Sequence, residues 1–170
     1  RYFFNVADAG AGGAVIQVYQ RYRRQGIQAG YFRTIAEGLW SYRNQPIAIR
    51  CDEGPWETAV RNNVIIGNGW SYGGGIRAVP QAVCDDGWLD GVWVGDLKLP
   101  AVLWNFRSFK QGRMLGHPKV ATSRFRKVEL GVPGNEPVYL EADGELLGRL
   151  PATITIQPGA LRFLALDASS

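Results

Sequence analysis

The stretch Gly67-Asn68-Gly69-Trp70-Ser71-Tyr72-Gly73-Gly74-Gly75-Ile76-Arg77-Ala78-Val79-Pro80-Gln81-Ala82-Val83-Cys84-Asp85-Asp86-Gly87 organises the reading of this chain. Glycine inside regular structure costs roughly 0.5–1 kcal/mol relative to alanine, because it loses the most backbone freedom on folding. Five glycines within the nine residues from Gly67 to Gly75 therefore ask for a sharp turn or a close approach of the backbone. On local chemistry alone the stretch is a wide hairpin loop, closed by a β-turn at Asp86-Gly87.

Working outward, the apolar Val64-Ile65-Ile66 ends a strand over 56–66 before this loop, and Leu89 to Val94 supplies a strand after it. Upstream, Ile47 to Cys51 is a further strand, followed by turn chemistry at Asp52-Glu53-Gly54-Pro55. Two amphipathic helices precede it. Val15, Val18, Tyr19 and Tyr22 recur at one helix-face spacing until Gly26, and residues 31–43 place Phe32, Ile35, Ala36 and Leu39 together. Residues 2–6 suit a buried strand, and Ala7 to Gly13 reads as a small-residue loop. Its glycines lack the full spacing and the Lys-Ser/Thr of phosphate-binding loops, so close packing is their expected role.

Downstream, residues 99–115 are expected to be helical, with Leu99, Leu103 and Phe106 on the same face as Lys110 and Arg113. The last third alternates as strands around Val128-Leu130-Val132, Val138-Leu140, Ile154-Ile156 and Leu161–Leu166. The expected fold is mainly β of the α+β kind, a β-sandwich-like domain carrying a few helices over residues 1–170.

A chain of 170 residues with 46% hydrophobic and 20% charged residues has ordinary globular composition. No apolar run approaches the ~20 residues of a membrane span. Because Arg1-Tyr2-Phe3-Phe4 already reads as strand, a longer polypeptide is expected. Cys51 and Cys84 form neither a disulfide framework nor a metal-site spacing, which points to reduced thiols in the cytoplasm. From Lys98 to Lys127 there are eight Lys or Arg residues, the single His, and no acid. That asymmetry expects an anionic partner surface, of phosphate, lipid or nucleic acid. Nucleic acid is disfavoured, since no recognition helix or RNA-binding signature accompanies the charge.

Two acidic turns, Asp85-Asp86-Gly87 and Asp143-Gly144-Glu145, carry the candidate chemistry. As isolated motifs they are ordinary solvated turns. Together they offer what phosphoryl chemistry uses, a carboxylate with bent-in carbonyls for a hard cation and a second carboxylate to accept a proton.

The order Phe4-Asn5-Val6-Ala7, then Gly67-Asn68 with Gly73-Gly74-Gly75 and Pro80-x-Ala82, then Asp85-Asp86-Gly87-x-Leu89-Asp90, then Asp143-Gly144-Glu145, resembles the C-terminal domain of the diacylglycerol kinase/sphingosine kinase family. The bacterial-type lipid kinases look closest. The resemblance implies ATP-dependent phosphorylation of a lipid hydroxyl, such as that of diacylglycerol or a sphingoid base. It implies magnesium held by the Asp86 carboxylate with main-chain oxygens of Val83 and Trp88, and Glu145 as general base. Where the family usually has Pro after that Glu, this chain has Leu146. The family's Gly-Gly-Asp-Gly-Thr-like nucleotide motif is missing from this chain, so the ATP site is expected mainly on a separate N-terminal domain that would be its partner. The isolated domain is expected to be inactive.

The remaining expectations concern partners. The full enzyme should be cytoplasmic and contact anionic membrane peripherally through Lys98–Lys127. The sequence leaves oligomeric state open, a homo-oligomer included. The competing readings are a non-catalytic membrane- or protein-binding module of the same fold, and a carbohydrate-binding sandwich suggested by six Trp and seven Tyr.

Overall fold

The computed structural model describes residues 1–28, 30–71 and 75–162, with Tyr31 and Phe32 defined by their backbone alone. In chain order the elements are β1 (Val6–Gly10), α1 (Ala11–Arg24), α2 (Tyr31–Ser41), β2 (Gln45–Cys51), β3 (Glu57–Gly67), β4 (Leu89–Gly95) and α3 (Leu99–Lys110). A 3-10 turn at Arg113–Gly116 leads to β5 (Val120–Phe125), β6 (Lys127–Gly131), β7 (Tyr139–Ala142), β8 (Glu145–Arg149) and β9 (Ala152–Thr155). The expected β-rich architecture with a few helices is borne out.

All pairings are antiparallel, and β3 is their hub. Arg61 on β3 pairs with Gln45 of β2 and with Gly95 of β4, while Asn63 pairs with Gly10 of β1 and with Val94 of β4. Strands β1 and β2 therefore share one edge of β3, end to end, and β4 takes the other edge. The chain leaves that edge at Gly10, makes the α1–α2 hairpin, and returns at Gln45. From β2 the sheet continues through β6 to β9, and from β1 through β7 to β8. Only Arg126 separates β5 from β6, so the chain passes directly from the strand beside β4 to the strand beside β2 and curls the sheet towards a barrel.

Alternation along β3 splits the core. Val64 and Ile66 join Ile47, Ile49, Phe125, Val128 and Leu130 inside the curled sheet, while Ile65 joins Val6, Val79, Val92 and Met114 on the opposite face. That second face is covered by the loop after β3 and by α3. In the first cluster, Trp93 and Phe125 stack with centroids 5.8 Å apart.

Several expectations need correction. The first strand begins at Val6 and extends through Ala7–Gly10, which is strand and not loop, buried throughout between β3 and β7. The third helix stops at Lys110, because Gly112 turns the backbone to φ +72° before the 3-10 turn. Leu103, on the face that the sequence shares between apolar and basic residues, is 56% exposed. Strands β5 and β8 were not expected. The β5 sequence alternates weakly and is held by its pairing with β4, and β8 is a half-exposed edge strand. Glu145 accordingly opens β8 and is not part of a long turn. The expected strand at Leu161–Leu166, the glycines Gly73 and Gly74 and the Phe32 side chain lie outside the described residues.

Phe125 is fully buried against Trp93, where truncation leaves a cavity that neighbours fill only in part. Phe125→Ala should cost about 3–5 kcal/mol, read as a lower urea midpoint with an unchanged slope.

Candidate functional site

Between the α1–α2 hairpin and α3 lies a cavity of about 510 Å3. Val15 and Ile16 of α1, Ile35 and Leu39 of α2, and Val102 and Phe106 of α3 give it apolar walls. Asn62 and Asn63, where β1 hands over to β2 on the edge of β3, belong to its lining. Asn62 of β3, which spans that handover, is tied by its side-chain amide to Asn44 Oδ1 (3.0 Å).

The cavity's acidic floor comes from β1 and β7. Asp8 and Glu141 are directly opposite in the β1–β7 ladder, so their side chains leave the same face of the sheet with Cβ atoms about 5 Å apart. Both line the cavity, and both are withdrawn from solvent, at 1% and 6% exposure. Asn63 Nδ2 approaches Asp8 Oδ2 at 3.5 Å, while Asp8 Oδ1 has no partner among the described residues. Gly12 makes room for this carboxylate, since a Cβ there would lie 2.0 Å from Asp8 Oδ2. The main-chain N–H of Gly144 donates to Glu141 Oε2 at 2.9 Å, which fastens the floor to the Asp143-Gly144-Glu145 hairpin.

Burial, opposed by the Asn63 and Gly13 donors, pushes the Asp8 carboxyl up to about 7. Burial and then the charge of Asp8 push Glu141 up to about 8, against the Gly144 hydrogen bond. No cation contributes to either shift. The sequence reading missed this pair. Its only trace there is an acid inside each of two apolar runs, Val6–Ala9 and Tyr139–Ala142, and the register that brings them together is tertiary.

The residues expected to act are placed as follows. Glu145 is exposed at the start of β8, opposite Ala142, and its side chain has no hydrogen bond or ion pair among the described residues. Gly144 beside it lines the cavity, whereas Glu145 does not. Asp143 is structural: its carboxylate accepts N–H donations from Phe4 (2.7 Å), Asn5 (3.1 Å) and Val6 (3.1 Å). Asp86 stands elsewhere, in the turn before β4. Its Oδ1 accepts the Trp88 N–H at 2.9 Å and its Oδ2 is paired with Arg124 of β5. Five ladder steps, β8-β7-β1-β3-β4-β5, separate the strand of Glu145 from the strand of Arg124, about 24 Å along the sheet at ~4.8 Å per step.

The magnesium set expected here is the Asp86 carboxylate with main-chain oxygens of Val83 and Trp88, and in this arrangement that carboxylate is engaged by Arg124. Arg124 already neutralises the one carboxylate, and Arg126 adds a second guanidinium, 4.5 Å from the centre of the Trp88 ring. Magnesium requires a near-octahedral set of oxygens, and a dication at Asp86 would have to displace Arg124. The neighbouring Asp90 is buried with Oδ2 unpartnered among the described residues, and its burial, with the nearby Asp86 charge, holds its pKa above the ordinary value despite Arg124.

The fold and this site can be set beside known proteins. The family model described as the YegS C-terminal NAD kinase beta sandwich-like domain matches residues 5–165. The chain belongs to this family. Over 98 residues it is 34% identical to a protein named diacylglycerol kinase from Mycobacterium tuberculosis. Over 98 residues it is 33% identical to a Stenotrophomonas maltophilia protein named "Probable lipid kinase YegS-like". Each match covers 58% of this chain and spans only 31% of the relative's length. The crystal structure of a diacylglycerol kinase from Bacillus anthracis superposes with a TM-score of 0.57 at 20% identity, over 92% of this chain and 47% of that one. At that identity the likeness is one of fold. The resemblance carried by the glycine loop and the acidic turns is thereby borne out.

The acidic floor has a thermodynamic signature. The folded protein keeps protons on Asp8 and Glu141 to about 7 and about 8, where the unfolded chain releases them near pH 4. The linked stability is full below about pH 4 and is lost as pH rises through the folded values. Calorimetric melting temperatures should therefore fall from about pH 5 to about pH 8, and Glu141→Gln should flatten that slope. An equally steep decline in the variant would refute the assignment.

Proposed function

We propose that this chain is the acceptor-side domain of an ATP-dependent lipid kinase, one that phosphorylates a hydroxyl on an amphiphile such as diacylglycerol or a sphingoid base. The observation that carries this reading is the apolar cavity that ends at the Asp143-Gly144-Glu145 hairpin, with Gly144 in its lining. A cavity of about 510 Å3 lies within the usual range for small-molecule sites. Hydrocarbon held between α1, α2 and α3 would bring a lipid hydroxyl towards that hairpin. The likeness to proteins named diacylglycerol kinase and lipid kinase supports the reaction class.

In such a transfer the protein mainly positions the hydroxyl in line with the γ-phosphate, and magnesium offsets charge on the phosphate oxygens. We assign the metal no ligand in this chain and place ATP on an N-terminal domain. Glu145, without an ion pair among the described residues and next to the cavity-lining Gly144, takes the hydroxyl proton in this scheme.

The outer faces of the cavity's helices support delivery from a membrane. Trp40 follows the lining residue Leu39 and is 81% exposed, while Leu103 and Trp104 follow Val102, with Trp104 89% exposed. Lys98, Arg107 and Lys110 stand on or beside the same helix, α3. Exposed Trp and Leu amid basic residues suit the boundary of an anionic bilayer. The contact proposed is peripheral, at the cytoplasmic face; no helix among the described residues is long and apolar enough to cross a membrane.

Two experiments test this. In full-length enzyme Glu145→Gln should lower kcat by about 10²–10⁴-fold with ATP binding intact, and Val102→Trp, which fills the cavity, should raise KM for a long-chain acceptor and spare that for ATP. Near-normal turnover in Glu145→Gln would remove the proposed base, and phosphorylation by the isolated domain would remove the need for a second one. Separately, Trp104→Ser with Lys110→Glu should weaken binding to phosphatidylserine-containing vesicles, most at low salt. Unchanged sedimentation with those vesicles would remove the membrane contact.

A further inference from the structure

The floor of the cavity holds more than hydrocarbon binding needs. Two carboxylates face each other across the β1–β7 ladder in an apolar chamber. Like charges directly opposite in a sheet are destabilising, and burying a carboxylate without its hydrogen bonds is costly. Asp8 is nevertheless fully buried with Oδ1 unpartnered among the described residues, and Gly12 leaves the space its carboxylate occupies.

The geometry points to a selectivity site: Asp8 and Glu141 receive the hydrogen-bond-donating headgroup, hydroxyl or ammonium, of the amphiphile in the cavity and reject an anionic headgroup. The inference rests on the reading of this cavity as an acceptor site and adds to it a rule of charge.

The surroundings of the pair on every side support that rule. From β3 comes the amide of Asn63, from α1 the main-chain N–H of Gly13 and the Tyr19 side chain, and from α2 the hydroxyl of Thr34, already given to Gly30 O at 3.3 Å. From the β7–β8 turn come the Gly144 N–H and Asp143, and nearby stands Tyr42, whose phenol is raised by burial and, to a smaller extent, by the charge of Asp8. Across the cavity α3 and the following turn present Phe106, Phe109 and Met114. None of these groups is cationic. Around neutral pH burial keeps both carboxyls from ionising fully, and whatever charge the pair carries is negative. An alcohol or ammonium would donate to the open Asp8 Oδ1. A carboxylate or phosphate headgroup would add like charge at close range, where little water screens it.

The test uses full-length protein and three probes with the same C12 chain, namely glycerol monolaurate, dodecylamine and laurate, titrated calorimetrically at neutral pH below their micellar concentrations. The monoglyceride or the amine, or both, should bind at least about tenfold more tightly than laurate. The stronger of the two names hydroxyl or ammonium as the preferred donor. Glu141→Gln and Asp8→Asn, each checked for folding by its melting curve, should raise laurate affinity towards that of glycerol monolaurate. If Asp8→Asn does not fold, Glu141→Gln alone carries the test. Equal binding of laurate and the other probes, or an unchanged ratio in the folded variants, overturns the selectivity rule while leaving the cavity a chain-binding site. Failure of all three probes to bind, or binding indifferent to Val102→Trp, overturns both the rule and the reading beneath it.

Discussion

The shared edge of β3 is the constraint on which the rest of this structure depends. One strand that pairs first with β2 and then with β1 along the same edge forces the chain between them to leave the sheet and come back within two ladder positions. The α1–α2 hairpin is that excursion, and the cavity is the space it leaves above the handover. Backbone donors and acceptors must be satisfied where the ladders part. The Asn44 side chain does part of this, donating to the main-chain oxygen of Leu97 at 2.9 Å while it also donates to the Asp96 carboxylate at 2.7 Å.

The two faces of the sheet then divide the labour between stability and chemistry. Inside the curl, aliphatic side chains and the Trp93–Phe125 stack form a core with no acid among its members. On the other face, packing is interrupted by the cavity and its carboxylate floor. The two opposed acids stand beside a hydrogen-bonded hairpin, on the face of the sheet opposite the ring stack. Ion pairs such as Arg50–Glu129 and Arg124–Asp86 stand on the half-exposed rim, where they contribute little to stability.

Much of the fold was legible because local chemistry and tertiary context agree. Val18 and Tyr22 of the α1 face, the turn at Asp52–Pro55 and the strands around Val64–Ile66 and Leu89–Val94 match their residue patterns, while Tyr19 of that face is exposed. Disagreement arose where one partner decides the matter. Val120–Phe125 is a strand because β4 lies beside it, and Ala7–Gly10 is a strand because β3 and β7 enclose it. Small residues there read as a loop, yet close approach on both edges is what small residues permit.

By itself the sequence determined the β-rich class, the hairpin closed at Asp86-Gly87, and the family, since glycines and acids at fixed spacings are local features that survive without knowledge of the partners. Tertiary structure alone decided that Asp8 meets Glu141, that Arg124 occupies Asp86, and that Glu145 begins a strand several ladder steps away from Asp86. The physical reason is register. A strand's pattern shows which face each side chain takes, but which residue lies opposite it, across 133 positions of chain from Asp8 to Glu141, is settled only when the ladders form.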